Sequence, residues 1–332
     1  MKLFGIEKTN THKIIYLLGF KFGIRDKSVL SKEEFEIFLS KYDYILNQFS
    51  ENNIIDDMYS DYIWQFWFQG FDNAPKIVKK CVESVKYFCS DKKIIYLDKN
   101  NLSQYIKIPE HILYKHKKGI ISNAHFSDYI RTALLSKYGG LWLDATVLLT
   151  DKIPNEIFKS DLFLFKDLGW SDNFENCKSI SPHLLISCLS FLNSDIIKPN
   201  ISNWFIFSKR NNSLIESSKK FITDYWEKEN NLKNYFIFHY WVRYAVLHNK
   251  NLLNEFKKIY DIPNIFPHLI QANWTEHFDL DMFKKILSLS PIHKLTYKNL
   301  DNCNKECLDY ILNLDFKTYE KSFDKRNWGF SQ

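Results

Sequence analysis

Between Ser31 and Phe49 the apolar positions recur at helical spacing. Phe35, Phe38, Leu39, Tyr42 and Leu46 fall on one stripe of "SKEEFEIFLSKYDYILNQF", and Ser31 with Glu34 makes a capping box at its start. Together with the short apolar run "KIIYLLGFKFGIR" before it, this predicts a helical N-terminal extension over residues 1–60. The pattern then changes. "YIWQFWFQG" (62–70) is an aromatic run ending in glycine, which reads as a buried strand and its exit turn. "APKIVKKCVESVKYF" predicts a helix with Pro75 near its first turn, and "KKIIYLD" (92–98) a second strand. A helix over about 109–118 ends at Gly119; the next starts at Ser122 or Asn123, runs to Tyr138 and stops at Gly139. "LWLDATVLL" reads as a third strand. Strands this apolar, alternating with helices, predict an α/β fold whose sheet is buried on both faces.

The second half is less regular. "NWFIFS" (203–208) predicts another strand, 213–229 and 234–249 are strongly helical, "SPIHKLTYK" (290–298) is extended, and helices resume to the end. No linker separates an independent second domain. The expected organisation is the extension at 1–60, one domain over 61–300, and C-terminal helices at 301–332 packed on it.

Composition narrows the function classes. With 45% hydrophobic residues, 17% aromatic and only 9 Gly and 8 Pro in 332, the chain is globular and not a turn-dense all-β protein. The net charge is +6, but Lys and Arg are scattered among acids with no basic stripe, so nucleic acid is not an expected partner. Six cysteines, at 81, 89, 177, 188, 303 and 307, include no CxxC pair, which excludes a zinc ribbon or thioredoxin-like site and predicts free thiols in a reducing compartment. Met1 is followed by charge, and the first apolar run is too short to span a bilayer. The expectation is a cytoplasmic protein. Its basic, amphipathic stretch at 13–25 suits either peripheral contact at the inner face of the plasma membrane or a helix packed on its own domain.

The chemistry concentrates in "FSDYIRTALLSKYGGLWLDATVLLT" (126–150). Phe126, Ile130, Ala133, Leu134 and Lys137 share the stripe that would face a sheet. Asp128 and Arg131 lie at i, i+3 on an adjacent face, where a surface pair would contribute a few tenths of a kcal/mol. Gly139-Gly140 turns the chain sharply enough for that pair to meet the end of the following strand. A lone carboxylate such as Asp144 in an apolar strand is costly unless it is paired or binds a cation. Pointing it into the crevice at the carboxyl edge of a sheet, where a divalent metal bridges it to a diphosphate, resolves this. A haloacid-dehalogenase nucleophile is excluded, because position 146 is Thr and 148 is Leu where that motif needs Asp and Thr.

"IWQFWFQG", the spaced S-D-x-x-R…Y-G-G-x-W-x-D block and "IHKL" together resemble the capsular-polysaccharide-synthesis glycosyltransferases, relatives of the Och1-like, DXD-containing sugar transferases. The resemblance covers roughly residues 60–300. It implies a GT-A fold, a Rossmann-like mixed sheet flanked by helices, and transfer of a sugar from a nucleotide-diphosphate donor, a UDP-sugar, with retention. The implied acceptor is a cell-surface or capsular glycan or a lipid-linked oligosaccharide. A non-catalytic nucleotide-sugar or glycan-binding protein of the same fold is the alternative. By the same resemblance Asp144, Asp128 and Arg131 form the catalytic set. Trp67 stacks on the nucleobase beside Gln69, Asp128 and Arg131 hold the sugar and diphosphate, and Trp142 stands beside the donor. Asp144 is the first carboxylate of the D-x-D, Thr146 replaces the second, and His293 completes a shell for Mn²⁺ or Mg²⁺, with Lys294 on a phosphate. Asn203 is assigned to the donor or acceptor pocket. His239, on an aromatic helix, reads as a core or groove histidine, and Trp64, Trp204 and Trp241 as core.

Overall fold

The computed structural model describes residues 32–49, 61–166, 180–181, 183–184 and 201–330, and the backbone of three strands near the start. Those strands, β1 (Phe4–Lys8), β2 (His12–Leu17) and β3 (Phe20–Arg25), form an antiparallel sheet in that order. This corrects the helical reading of 1–60 over its first part, where the described residues are strands. "FKFGIR" alternates apolar and polar with period two, and its strand pairs with β2 in register from His12 opposite Arg25 to Leu17 opposite Phe20. The helical part of the extension is Lys32–Ser40 and Asp43–Leu46; the expected cap Ser31 lies outside the described residues. Phe35, Phe38 and Tyr42 are buried edge-on against Tyr240, Tyr225 and Phe221, with ring centroids 4.8, 6.0 and 5.0 Å apart. The apolar stripe thus docks on the helices Ser213–Lys228 and Ile237–His248.

The central sheet is built from β4 (Tyr62–Phe66), β5 (Lys93–Leu97) and β6 (Gly140–Leu143). A short β7 (Val147–Leu149) leaves it, and β8 (Leu162–Lys166) and β9 (Ile201–Ser208) complete it. The order is β5-β4-β6-β9-β8, with β4 parallel to β5 and β6, and β9 antiparallel to β6 and β8. The sheet is therefore mixed α/β, with apolar strands covered by helices, as the run of strand patterns predicts. The helix Lys76–Phe88 returns the chain from β4 to β5 on one side, while the chain after β6 proceeds to the other. Neighbouring parallel strands whose connections diverge leave a crevice beyond their carboxyl ends, here between β4 and β6.

The helix Asn123–Tyr138 starts at Ser122, whose hydroxyl accepts from the His125 amide, and ends at Gly139 at φ 67°. A Cβ on Gly139 would lie 2.9 Å from the Ser208 carbonyl oxygen and 3.1 Å from the Arg210 amide nitrogen. Only glycine permits both that backbone angle and that approach to β9. Trp64, fully buried, donates its indole N–H to the Gly139 carbonyl at 2.9 Å, tying β4 to the same corner.

"LWLDATVLL" is not one strand. β6 stops at Leu143, a turn closed by the Val147 amide on the Asp144 carbonyl (3.0 Å) follows, and β7 pairs antiparallel with β10 (Ile292–Lys294). The Leu295 amide on the Thr146 carbonyl and the Thr150 amide on the Pro291 carbonyl, both 3.0 Å, extend this clasp. The distant segment supplies ladder partners that the apolar run could not announce, and tertiary pairing overrides the local pattern.

At the C-terminal end the helices Lys305–Leu312 and Phe316–Tyr319 pack back on the domain, with Phe316 5.8 Å from Phe88. Cys81, Cys89, Cys303 and Cys307 are buried and unbridged, whereas Cys177 and Cys188 lie outside the described residues. Among the described residues no helix is long and apolar enough to cross a membrane.

Candidate active site

Beyond the carboxyl ends of β4 and β6 opens a cleft of about 660 Å³. At its floor three charged side chains from two elements meet. Arg131 pairs with Asp128 one helical turn away and reaches Asp144 Oδ1 at 3.2 Å with its second nitrogen. Asn203 on β9 donates to Asp128 Oδ1 at 3.0 Å, and the Trp142 indole N–H donates to Asp144 Oδ1 at 2.9 Å. The Trp142 ring also lies 5.2 Å from the guanidinium carbon of Arg131, within cation–π reach. Asp128 and Arg131 are only 5% and 3% exposed, so they are not the surface pair that their spacing alone allows. The helix bearing them is buried on nearly every side, wedged between the sheet and the helix Ser213–Lys228.

The electrostatics differ between the two carboxylates. Burial raises the Asp128 carboxyl above its ordinary value, and the opposing pull of Arg131 does not cancel that. Burial also pushes Asp144 up, but Lys294 and Arg131 outweigh it and hold this acid below its usual range. Lys294 Nζ donates to Asp144 Oδ2 at 3.2 Å and also to the Thr146 hydroxyl. One ammonium thus bridges the two positions that a D-x-D motif would give to carboxylates.

Trp67 and Gln69 line the mouth of the cleft, where Trp67 meets Tyr297 edge-to-face at 5.0 Å. The structure therefore brings together Trp67, Gln69, Asp128, Arg131, Trp142, Asp144, Thr146, Asn203 and Lys294. His293 does not join them, which corrects its place in a metal shell. In the three-residue β10, His293 and Lys294 point to opposite faces, and register against β7 turns the lysine to the cleft and the histidine to the core. His293 is fully buried, shares a 2.9 Å hydrogen bond with Thr150, and is held neutral by burial at a pKa of about 3.

A divalent cation takes about six oxygen ligands, carboxylates foremost. Both oxygens of Asp144 are already engaged by Arg131, Trp142 and Lys294, and Thr146 is held by the same ammonium. No group of three His, Cys, Asp or Glu side chains able to hold a metal occurs among the described residues. This donor set does not fit the Mn²⁺ or Mg²⁺ expected from the sequence.

Sequence reasoning missed several cleft residues. Tyr297 and Lys298 sit three and four residues beyond Lys294 in a stretch already singled out, and Asn264 and His268 lie one turn apart. His239 lines the cleft as a groove histidine, with burial first and then the Arg131 charge lowering its pKa to about 3. Trp64, Trp204 and Trp241 are core, and Trp204, which stacks on Phe165 at 5.2 Å, also borders the cleft.

The buried histidines make a pH prediction. Their folded values lie near 3 and unfolded imidazole near 6.5, so between these limits the unfolded chain binds more protons and stability falls as pH falls. Above 6.5 the full contribution is present. His293→Gln should flatten this acid limb by up to about 1.4 kcal/mol per pH unit, read from urea midpoints between pH 4 and 7. An unchanged limb would mean that His293 is not held neutral.

A mixed α/β sheet thus sets a helix-borne Asp128–Arg131 pair beside Asp144, just past the end of β6, at the floor of an open cleft, and sequence comparison supplies the family. The capsular polysaccharide synthesis protein family matches residues 20–313, and the chain belongs to it. It is also 24% identical over 185 residues to the O-glycosyltransferase braB of Annulohypoxylon truncatum, covering 52% of this chain and 39% of that protein. The chain thus spans about two fifths of the length of this curated relative. Among solved structures, the PaToxG glycosyltransferase aligns over 77% of this chain and 92% of its own, at 15% identity and a TM-score of 0.35.

Proposed function

We propose that the chain is a glycosyltransferase that moves a sugar from a nucleoside diphosphate, a UDP-sugar, onto a hydroxyl of a surface or capsular glycan. The observation that carries this reading is the Asp128–Arg131–Asp144 ring, braced by Asn203 and Trp142, at the floor of an open cleft. Family membership supports the direction of the chemistry. Held rigid in a poorly solvated site, such groups act strongly on charge that develops in a transition state.

In the reaction the bond from the anomeric carbon to the diphosphate oxygen breaks, and its electron pair leaves with the diphosphate. The acceptor oxygen forms the new bond to that carbon and sheds its proton, which departs with the diphosphate. Asp128, with a raised pKa, suits hydrogen bonding to sugar hydroxyls, and Asn203 fixes its orientation. Trp67 and Tyr297 offer flat faces for a nucleobase at the mouth. Arg131, Lys294 and Lys298 outnumber Asp128 and Asp144, so the cleft favours an anionic ligand. Retention is part of the proposal and accords with the resemblance; neither ring carboxylate stands unpaired as a nucleophile.

The test is incubation of the full chain with a panel of nucleotide sugars, with released nucleotide and free sugar followed by mass spectrometry. Slow hydrolysis of one donor, with UDP raising the melting temperature, is expected. Thermal protection without turnover of any donor would reduce the chain to a binding protein; neither effect would remove the reading.

A further inference from the structure

We infer that Lys294 takes the place of the divalent cation, so that an ammonium and the Arg131 guanidinium neutralise the leaving diphosphate and transfer proceeds without bound metal. This deepens the glycosyltransferase reading and rests on it.

The geometry points this way at three positions. Thr146 stands where a second carboxylate would hold a metal, and Lys294 Nζ donates to its hydroxyl and to Asp144 together. An ammonium has three donors, so after these two bonds one remains to meet a phosphate oxygen in the cleft. The backbone fixes that placement: Lys294 pairs with Val147 across the β10–β7 ladder, and the Leu295 amide bonds the Thr146 carbonyl at 3.0 Å. The lysine therefore belongs to the same clasp that shapes the turn bearing Asp144. Its side chain is 19% exposed, open to the cleft yet largely desolvated.

Charge agrees with position. The ring of Asp128, Arg131, Asp144 and Lys294 is neutral as it stands. A divalent ion would have to displace the ammonium from Asp144 and then lie beside two cations with one shared carboxylate. A diphosphate instead finds cations already held in place. When the bond to the anomeric carbon breaks, the electron pair stays on the diphosphate oxygen, and Lys294 and Arg131 face the charge that accumulates there.

The test uses the full chain, UDP, inorganic pyrophosphate and Mn²⁺ as probes. By calorimetry, Mn²⁺ alone should give no binding, and UDP and pyrophosphate should bind within about twofold with Mn²⁺ or with EDTA. Donor turnover should survive EDTA to the same degree. Lys294→Ala should lose about 10²-fold in turnover, unrescued by Mn²⁺. In the double variant Lys294→Ala with Thr146→Asp, which restores two carboxylates and removes the lysine, Mn²⁺ should raise UDP affinity at least about tenfold. The wild-type comparison needs no variant to fold. UDP binding or turnover by the wild type that requires Mn²⁺ would overturn the lysine's role and leave glycosyl transfer standing. Failure of UDP and pyrophosphate to bind under every condition, with no donor turned over, would overturn both.

Discussion

Arg131→Ala is expected to lower the unfolding free energy by about 3–5 kcal/mol, because it strands two carboxylates that share one guanidinium. Asp128 is the more costly of the two, since it is nearly inaccessible and, among the described residues, keeps Asn203 alone as a neutral side-chain partner. Asp144 retains Lys294 and Trp142. Arg131→Lys should recover little, because a single ammonium cannot reproduce a planar fork that meets Asp128 with one nitrogen and Asp144 with the other. Urea unfolding at neutral pH measures this. A loss under about 1 kcal/mol would return the trio to the energetics of an exposed pair.

Asp144→Asn is expected to separate binding from turnover. The carboxylate holds Arg131 at 3.2 Å, Lys294 at 3.2 Å and the Trp142 indole at 2.9 Å, so it positions the cations of the cleft while opposing an anionic ligand itself. Neutralising it should leave UDP bound at least as tightly as in the wild type, while turnover drops about 10²-fold as the cations lose their anchor. The fold should persist, because the residue is partly exposed in a turn beyond the end of β6. Calorimetry with UDP beside single-turnover kinetics reads the split. Affinity and rate falling together would make Asp144 a direct ligand of the donor and not a positioning group.

How much of this was legible in the chain depended on how local the cause was. The helix Asn123–Tyr138 was bounded by Ser122 and Gly139, whose capping roles belong to the residues themselves, and both ends were read directly. The approach of Asp128, Arg131 and Asp144 followed from the same helix, the glycine corner and the strand after it. The break after Leu143 was not readable, since Asp-Ala-Thr carries neither Gly nor Pro, and the cause lies in β10 far along the chain. The same ladder decided which of His293 and Lys294 met the cleft. Adjacent residues in a strand face opposite ways, and without the register either choice fits the pattern. The burial of Asp128 and Arg131 was hidden too, because it depends on β9 and a later helix closing over a spacing that looks exposed. In the first 25 residues the signal was present but misread: the alternation in "FKFGIR" has the period of a strand.

The clasp between β7 and β10 also has a meaning in time. Asp144 and Lys294 are 150 positions apart, so a ribosome making roughly 5–20 residues per second delivers the lysine some 8–30 s after the aspartate. Throughout that interval the growing chain contains Asp128, Arg131 and Asp144 without the ammonium that shares their charge in the finished fold, and the β7 segment without its ladder partner. The cleft acquires its balance of charge only when the strand containing Lys294 closes on the turn, so the pocket is among the last parts of the domain to be completed in chain order.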